Sequence, residues 1–275
     1  MNALLTVAGQ EIRAGIRNRW VVATTLILAA LALSLVLLGS APAGTTGASP
    51  TAVVVVSLAT LSIFLVPLIA LLLSFDAVVG EAERGTLLLL LAYPVARWQV
   101  VLGKFVGHTA ILALATVVGY GAAALLLFLR DAAEPGDWAG FAGLIGTSIL
   151  LGAAFVALGS LASIAVRERA TAAGLAVALW LVFVLIYDSA LLGLLVVDQG
   201  QVVSGGLFDA LLLLNPTDVY RLINLTGSGA ASLLSGMSAP GEADQLSTKL
   251  LYGALCAWIL VPLGLGVLVF SKRQP

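Results

Sequence analysis

Ionisable and metal-binding side chains are scarce in this sequence. Only 10% of its 275 residues are charged, and it contains one histidine, His108, one cysteine, Cys256, and two methionines. A single cysteine cannot form a disulfide within the chain. Soft metals such as copper(I) are held by thiolate, thioether or imidazole groups. The sequence has neither a C-x-x-C pair nor a methionine cluster, so we expect no metal site in this chain.

The motifs of several large enzyme classes are missing as well. No lysine stands in a G-x-x-x-x-G-K-[ST] loop, so the chain cannot cradle ATP phosphates by that device. There is no H-E-x-x-H and no G-x-S-x-G. We therefore predict that the chain is not an enzyme and holds no cofactor. If ATP drives it, a separate subunit must bind and hydrolyse the ATP with its Mg²⁺.

Hydrophobic residues are what the chain has in abundance, at 61% of the total. Several apolar runs exceed the roughly 18 residues that mark a membrane span. We predict a single-domain, all-α integral membrane protein with six spans, at residues 20–39, 51–75, 105–129, 138–166, 171–197 and 249–270. The formal net charge of -1 gives no indication of nucleic-acid binding, and we expect none.

Residues 1–19, before the first span, have the pattern of an amphipathic helix. Apolar side chains recur at helical spacing, which predicts a helix lying on the membrane surface. The alternative is a basic flank that only sets the topology. Ala41-Pro42-Ala43 resembles a signal cleavage site, but the apolar run before it is too long for a signal core. We expect the first span to be retained.

The distribution of basic residues predicts the orientation. Loops on the cytoplasmic side carry an excess of lysine and arginine. With six spans and both ends inside, ten of the thirteen basic residues fall on the inner side, and only Arg130, Arg221 and Lys249 fall outside. We therefore expect both termini in the cytoplasm.

Residues 198–248 form the longest predicted outer segment. Leu207 to Leu214 is apolar but too short to span, and Asn215-Pro216 ends it, which indicates a re-entrant or interfacial hairpin. An apolar patch rimmed with charge is typical of a protein contact. The predicted contact residues are Leu207, Phe208, Asn215, Pro216, Asp218, Tyr220 and Arg221. The rival interpretation is a lid that closes the bundle.

Asp188 is the one carboxylate well inside a predicted span, and such an acid is a functional-site hypothesis by default. Either a partner side chain caps it or it lines a pathway. His108, one turn after Lys104, is interpreted as a structural histidine.

The predicted inner loop 76–104 concentrates charge between two apolar runs. Its middle, Thr86 to Leu91, is apolar and helix-forming, and Tyr93-Pro94 ends that helix because proline disfavours helical geometry before it. A short helix flanked by charge can lie at the membrane surface and offer apolar and charged faces to a partner. The plainer alternative is a solvated loop between spans.

The motif of this loop resembles that of a known family. EAERGTL at Glu81–Leu87, followed by LLAYPV at Leu90–Val95 and by Arg97, is similar to the E-x-x-x-G-T-L-x-x-L-L…P-V-x-R pattern of ABC-2 type transporter permeases. In that family this loop holds a coupling helix that docks on a separate ATPase. The resemblance implies coupling roles for Glu81, Glu83, Arg84, Gly85, Thr86, Leu87, Pro94 and Arg97. The charges of the short inner loop Arg167, Glu168 and Arg169 make it the natural second contact for the ATPase. The alternative for this loop is a plain positive-inside anchor.

The resemblance also implies partners and a location. Within the family the sequence is most similar to permeases of nitrous oxide reductase maturation. The implied assembly is a homodimer with a NosF-like ABC ATPase, in the bacterial inner membrane, and a NosD-like periplasmic copper-handling subunit. It would transport a substrate or act mechanically on that partner in copper-centre assembly. The alternative is an autonomous secondary transporter or channel, which predicts several charges within the membrane.

Overall fold

The structure is a computed structural model that describes residues 3–39, 50–130, 137–198, 205–227 and 246–272. In these ranges it is helical and contains no strand. The α-helices are α1 Ala3–Ile16, α2 Arg19–Gly39, α3 Pro50–Ser74, α4 Val79–Glu83, α5 Thr86–Leu91, α6 Arg97–Leu129, α7 Asp137–Ala165, α8 Arg169–Leu181, α9 Tyr187–Asp198, α10 Gly205–Leu213, α11 Pro216–Gly227 and α12 Thr248–Lys272.

Most of the long helices have the length and composition of membrane spans. Five described stretches meet that test: Val53–Glu83, Arg97–Leu129, Trp138–Ala165, Arg169–Val197 and Thr248–Lys272. A sixth is gained if Ala3–Ile16 and Val21–Leu37, which meet at a bend of 67°, are counted as one broken span. The predicted all-α membrane fold is confirmed.

Helix α7 forms the centre of the bundle and packs against α3, α6 and α12. Small residues allow this close approach. A Cβ atom on Gly152 would lie 2.0 Å from the Leu112 side chain, and one on Gly159 would lie 2.1 Å from Ser74 Oγ. Phe155, on the same helix, is fully buried. The core of the molecule therefore follows α7 along most of its length.

Helix α1 packs lengthwise against the first half of α6. The glycines Gly103 and Gly107 permit this, since an added Cβ would lie 2.8 Å from Val7 and 2.5 Å from Glu11. Small residues at this spacing predict close helix approach, and the helix that approaches is α1. The amphipathic amino-terminal helix is thus fixed to the bundle along one face.

Two boundaries differ from the sequence-based prediction. Helix α6 begins at Arg97, eight residues before the predicted third span, because the charge of Lys104 is neutralised inside the protein and does not end the helix. The predicted fifth span, 171–197, is interrupted by a π-helical turn at Val182–Ile186 between α8 and α9. Hydrophobicity alone gives no indication of that turn.

Side-chain contacts bring four separate segments to one end of the bundle, called here the α5 end. Lys104 joins α1 to α4, Arg169 joins the start of α8 to Asp76, and Arg97 reaches the last turn of α12. These are the segments that the charge distribution places on the inner side. The predicted hairpin is present as α10 and α11, which lie at the opposite end, called the α11 end.

Candidate functional site

The segment from Val79 to Leu91 forms two short helices that meet at a sharp corner. Helix α4 ends at Glu83 with Arg84 as its C-cap, and Gly85 follows with φ of +72°. Residues with a side chain rarely adopt that conformation, so glycine is required at the corner. Ser163 of α7 accepts hydrogen bonds from the backbone N–H groups of Val78 and Val79, at 3.0 Å each. The start of α4 is thereby anchored to the central helix.

A buried lysine connects this segment to α1. Lys104 of α6, whose side chain is 4% exposed, donates to the carboxylate of Glu11 in α1 and, at 2.7 Å, to that of Glu81 in α4. His108 lies one turn further along α6, with Nε2 at 3.6 Å from Glu11. A buried charge is tolerated only when it is paired and hydrogen-bonded. The triad fixes α1, α4 and α6 to one another.

The second predicted inner loop is joined to the first. Arg169 Nε lies 2.9 Å from the carboxylate of Asp76, and the Arg169 backbone N–H donates to Glu83 at 2.6 Å. Arg84 is a further neighbour of Asp76 at 3.8 Å. The guanidinium groups of Arg84 and Arg169 are more than half exposed, so water screens these pairs and each contributes little to stability. Their role is positional.

Arg97 connects the same segment to the end of the chain that the structure describes. Its guanidinium donates to the backbone carbonyls of Phe270, at 2.9 Å, and Ser271, at 3.0 Å, and lies 5.9 Å from the centre of the Phe270 ring. The last carbonyls of a helix have no partner within the helix. Arg97 therefore caps α12 and holds it beside the start of α6.

The outward side of α5 is apolar. Leu87 is buried, whereas Leu88 and Leu89 are 57% and 68% exposed and Tyr93, just beyond the helix, is 69% exposed. The sequence pattern predicted an apolar helix here, but no contact role was predicted for Leu88, Leu89 or Tyr93. The signal in the sequence was the unbroken apolar run. Only one side of such a helix can pack on the protein, so the other side must expose apolar side chains.

The residues predicted to couple fall into two groups. Glu81, Glu83, Arg97 and Arg169 are engaged within the chain, as described above. Leu87 packs inside, beside Val78 and Val100. The remaining predicted residues are Arg84, Gly85, Thr86, Pro94, Arg167 and Glu168, and all of them are exposed. The structure brings both predicted loops into one continuous surface at the α5 end.

A second polar cluster lies at the α11 end. Arg221 of α11 contacts Asp188 of α9 at 2.6 Å and Asp218 of its own helix at 2.7 Å. Asp188 thus has a capping partner inside the chain. Burial, and then the nearby charge of Asp188, raise the pKa of Asp218 to about 6, while Arg221 opposes that rise.

The first turn of α11 is attached to the π-helical turn of the fifth span. Asn215 accepts a hydrogen bond from the Thr217 backbone N–H, which makes it a helix cap, and Pro216 follows at the first helical position. Asn215 Nδ2 and Thr217 Oγ1 both donate to the carbonyl of Phe183, at 3.0 and 3.1 Å. A π-helical turn changes the hydrogen-bonding of the backbone carbonyls of a helix. The Phe183 carbonyl, within this turn, accepts the hydrogen bonds of both side chains.

Tyr220 holds the other side of α11 to the bundle. Its hydroxyl is hydrogen-bonded to Ser148 of α7 at 2.9 Å, Ser148 donates to Ser62 of α3 at 3.4 Å, and Ser62 is hydrogen-bonded to Tyr120 of α6. All four side chains are buried. This chain of hydroxyls joins four helices, and burial raises the pKa of Tyr220 to about 12, so it stays protonated.

The structure places most of the predicted partner-contact residues inside the bundle. Asn215, Pro216, Asp218 and Tyr220 are buried in the bundle, and Phe208 and Arg221 are only half-buried, whereas Leu207 is 45% exposed. Their charge and hydrogen-bonding groups are used to close the bundle, which is the rival interpretation made from the sequence. The outward surface of this hairpin is formed by exposed apolar residues, Leu207 and Leu214.

The possible metal ligands are not brought together in the described part of the chain. No group of three or more histidine, cysteine, aspartate or glutamate residues there could hold a metal ion. His108 is buried beside Glu11, and Cys256 is exposed on α12. Met237 lies outside the described residues.

Comparisons with known proteins agree along nearly the whole chain. The family model described as "ABC-2 family transporter protein" matches residues 5–274. The chain is similar to the "Probable ABC transporter permease protein NosY" of Stutzerimonas stutzeri, with 45% identity over 99% of each chain. It is similar to the protein of the same name from Pseudomonas aeruginosa, with 46% identity over 99% of each chain.

Proposed function

The chain belongs to the ABC-2 family of transporter permeases, and we propose that its α4–α5 segment is the place where a separate ATPase subunit docks. A permease of this kind is not itself catalytic, since ATP hydrolysis belongs to the partner subunit. The permease must supply a surface to which the ATPase can bind and a rigid connection between that surface and the spans.

The observation that carries the proposal is the contrast between the two sides of α5. Leu88, Leu89 and Tyr93 project from the molecule, while the helix beside them is fixed by Lys104 and by Ser163. Large apolar and aromatic side chains held on a rigid support are the usual centre of a protein interface. Exposed Arg84, Arg167 and Glu168 provide a charged rim next to that centre.

The α5 end is then the cytoplasmic end. Support comes from the basic residues, because Arg84, Arg97, Lys104, Arg167 and Arg169 all belong to segments at this end. The excess of lysine and arginine in cytoplasmic loops is the main determinant of orientation in membrane proteins. An ATPase that is soluble in the cytoplasm would meet this end of the permease.

Work done by the ATPase would reach the opposite end through the spans. Displacement of α4 acts on α6 through the Glu81–Lys104 pair, on α7 through the Val79–Ser163 hydrogen bond and on α8 through the Glu83–Arg169 hydrogen bond. Helix α11 is attached to α3, α6 and α7 by the hydroxyl chain and to the fifth span by Asn215 and Arg221. Movement between these spans therefore changes the position of α11.

We further propose a role in nitrous oxide reductase maturation, which is supported by the similarity of the chain to two proteins named NosY. The mechanical role is favoured over metal conduction, because the soft ligands His108 and Cys256 form no cluster in the described part of the chain. A NosD-like periplasmic subunit would rest on the outward side of the α10–α11 hairpin, around Leu207 and Leu214. Two copies of the permease, related by a two-fold axis, would complete the membrane part.

The composition of the complex purified from membranes tests this proposal. We expect mild detergent to release an assembly with two copies of this chain, two copies of a NosF-like ATPase and a NosD-like subunit. Quantitative mass spectrometry of the crosslinked complex gives the stoichiometry. Recovery of the permease without any ATPase, in detergent that preserves its fold, would favour the autonomous transporter instead.

A further inference from the structure

Helix α1 presents three different faces, because successive residues of an α-helix turn by about 100°. One face is buried on α6 through Val7, Ala8 and Gly15. A second face is apolar and open, since Leu5 is 64% exposed and Ile16 is 55% exposed. An open apolar face on a helix already packed on its other side needs an apolar surrounding.

The third face is polar and basic. Gln10 and Arg13 are exposed and lie three residues apart, which places them on one side of the helix. Arg17, in the turn directly after α1, is exposed as well. Arg19, also exposed, follows at the start of α2. Within the part of the chain that the structure describes, Arg13, Arg17 and Arg19 have no carboxylate within ion-pair distance.

We propose that α1 binds anionic phospholipid headgroups at Arg13, Arg17 and Arg19. The open face with Leu5 and Ile16 enters the boundary between headgroups and acyl chains, and the basic side then lies at the level of the phosphates. The bend of 67° between α1 and Val21–Leu37 turns α1 away from the direction of the first span, as a helix on the membrane surface would be. Arginine matches the geometry of a phosphate group, because its planar guanidinium can donate two parallel hydrogen bonds.

A lipid bound here would be connected to the α4–α5 segment through α1 and Lys104. Glu11, on the α6 face of the same helix, is bound to Lys104, and Lys104 is bound to Glu81 of α4. A shift of α1 on the membrane surface would therefore displace α4. This regulatory consequence rests on the proposed docking of an ATPase, whereas the lipid site itself does not.

The lipid site is tested with the purified permease–ATPase complex in nanodiscs. Spin-labelled phosphatidylglycerol and spin-labelled phosphatidylcholine report, by electron paramagnetic resonance, which lipid is held at the protein surface. We expect selectivity for phosphatidylglycerol in the wild type and a loss of about tenfold in R13Q/R17Q/R19Q, since each basic residue near the surface contributes about fivefold before screening. The matched control is Lys272→Gln, which removes an exposed cation from the same end of the bundle.

The single variant Arg17→Gln keeps two arginines to orient the first span and should lose about twofold, since the screened tenfold loss of the triple variant is shared by three arginines. Unchanged selectivity in both variants would overturn the proposal. So would a triple variant that keeps its lipid selectivity but loses the ATPase in detergent, because that result would make the arginines an ATPase contact.

The regulatory consequence has a separate readout. Addition of phosphatidylglycerol to phosphatidylcholine nanodiscs should change the ATP hydrolysis rate of the wild-type complex and of K272Q, but not of R13Q/R17Q/R19Q. An equal response in the triple variant would refute the regulation. The lipid selectivity, measured without ATP, would stand or fall on its own result.

Discussion

The guanidinium of Arg221 lies 2.6 Å from the carboxylate of Asp188 and 2.7 Å from that of Asp218. One arginine thus joins the α10–α11 hairpin to the second half of the fifth span. That half, α9, follows the π-helical turn and is largely exposed along its length. The position of α9 therefore depends on polar contacts to α10 and α11. One of them is the hydrogen bond from the Tyr187 hydroxyl to the Leu211 carbonyl, at 2.7 Å.

Replacement of Arg221 by alanine should destabilise the permease. Two carboxylates would then face each other without a cation, and breaking one partner of a buried pair costs about 3–5 kcal/mol. Because the Arg221 side chain is 38% exposed, solvent screening reduces the expected loss to about 1–2 kcal/mol. Thermal unfolding in detergent measures the change. Lys249→Ala, an exposed cation, is the control and should unfold as the wild type does.

The pH dependence of stability should report Asp218. Its pKa is raised in the folded protein to about 6, from an ordinary value near 4, so folding favours the protonated form. The favourable contribution is complete below the unfolded pKa and is lost as the pH rises through about 6. Between pH 5 and 7 the wild type should lose stability relative to Asp218→Asn, which cannot ionise. If the stabilities of the two proteins changed in parallel with pH, that result would contradict this assignment.

Lys104→Met should uncouple the complex. The variant leaves Glu11 and Glu81 facing each other across the position of the lost ammonium group, and their repulsion would displace α4 from α1. We expect the ATP hydrolysis rate of the ATPase to stop depending on whether the permease is bound. The triple variant E11Q/E81Q/K104M removes the repulsion and should regain part of the dependence, whereas Lys272→Met should have no effect.

Copper delivery should survive without the soft side chains of this chain. We predict that a variant with His108→Leu, Cys256→Ala and Met237→Leu still supports loading of copper into nitrous oxide reductase, because the described part of the chain contains no cluster that could bind the ion. Assembly with the ATPase is verified first. Copper content of the purified reductase is the measurement, and an empty enzyme would show that this subunit handles copper.

The helices could be predicted from the sequence because they depend on local patterns. The short helix Thr86–Leu91 follows from its leucine run and from Tyr93-Pro94 beyond it. The break at Asn215-Pro216 follows in the same way from cap and proline chemistry. Such signals lie within a few residues of the structure that they determine.

The partners of the charged residues could not be predicted, because they come from distant parts of the chain. Glu81 finds Lys104, and Arg97 finds the carbonyls at the end of α12, more than 170 residues away. The motif indicated that these charges matter, but not that they brace the segment from inside. The burial of Asp218 and Tyr220 could not be predicted either. A polar residue in a predicted outer segment is buried only when its hydrogen-bond partners lie on other helices, and the sequence does not show those partners.

The most direct test of the account compares two pairs of exposed leucines. Leu88→Glu with Leu89→Glu places charge on the outward face of α5, and Leu207→Glu with Leu214→Glu does so at the opposite end. The measurement is the amount of ATPase and of periplasmic subunit that co-purifies with each variant. Loss of a central interface contact of about 2 kcal/mol weakens binding roughly thirtyfold. We predict that the α5 variant loses the ATPase and keeps the periplasmic subunit, and that the hairpin variant does the reverse. An α5 variant that retains the ATPase as well as the wild type does would contradict it.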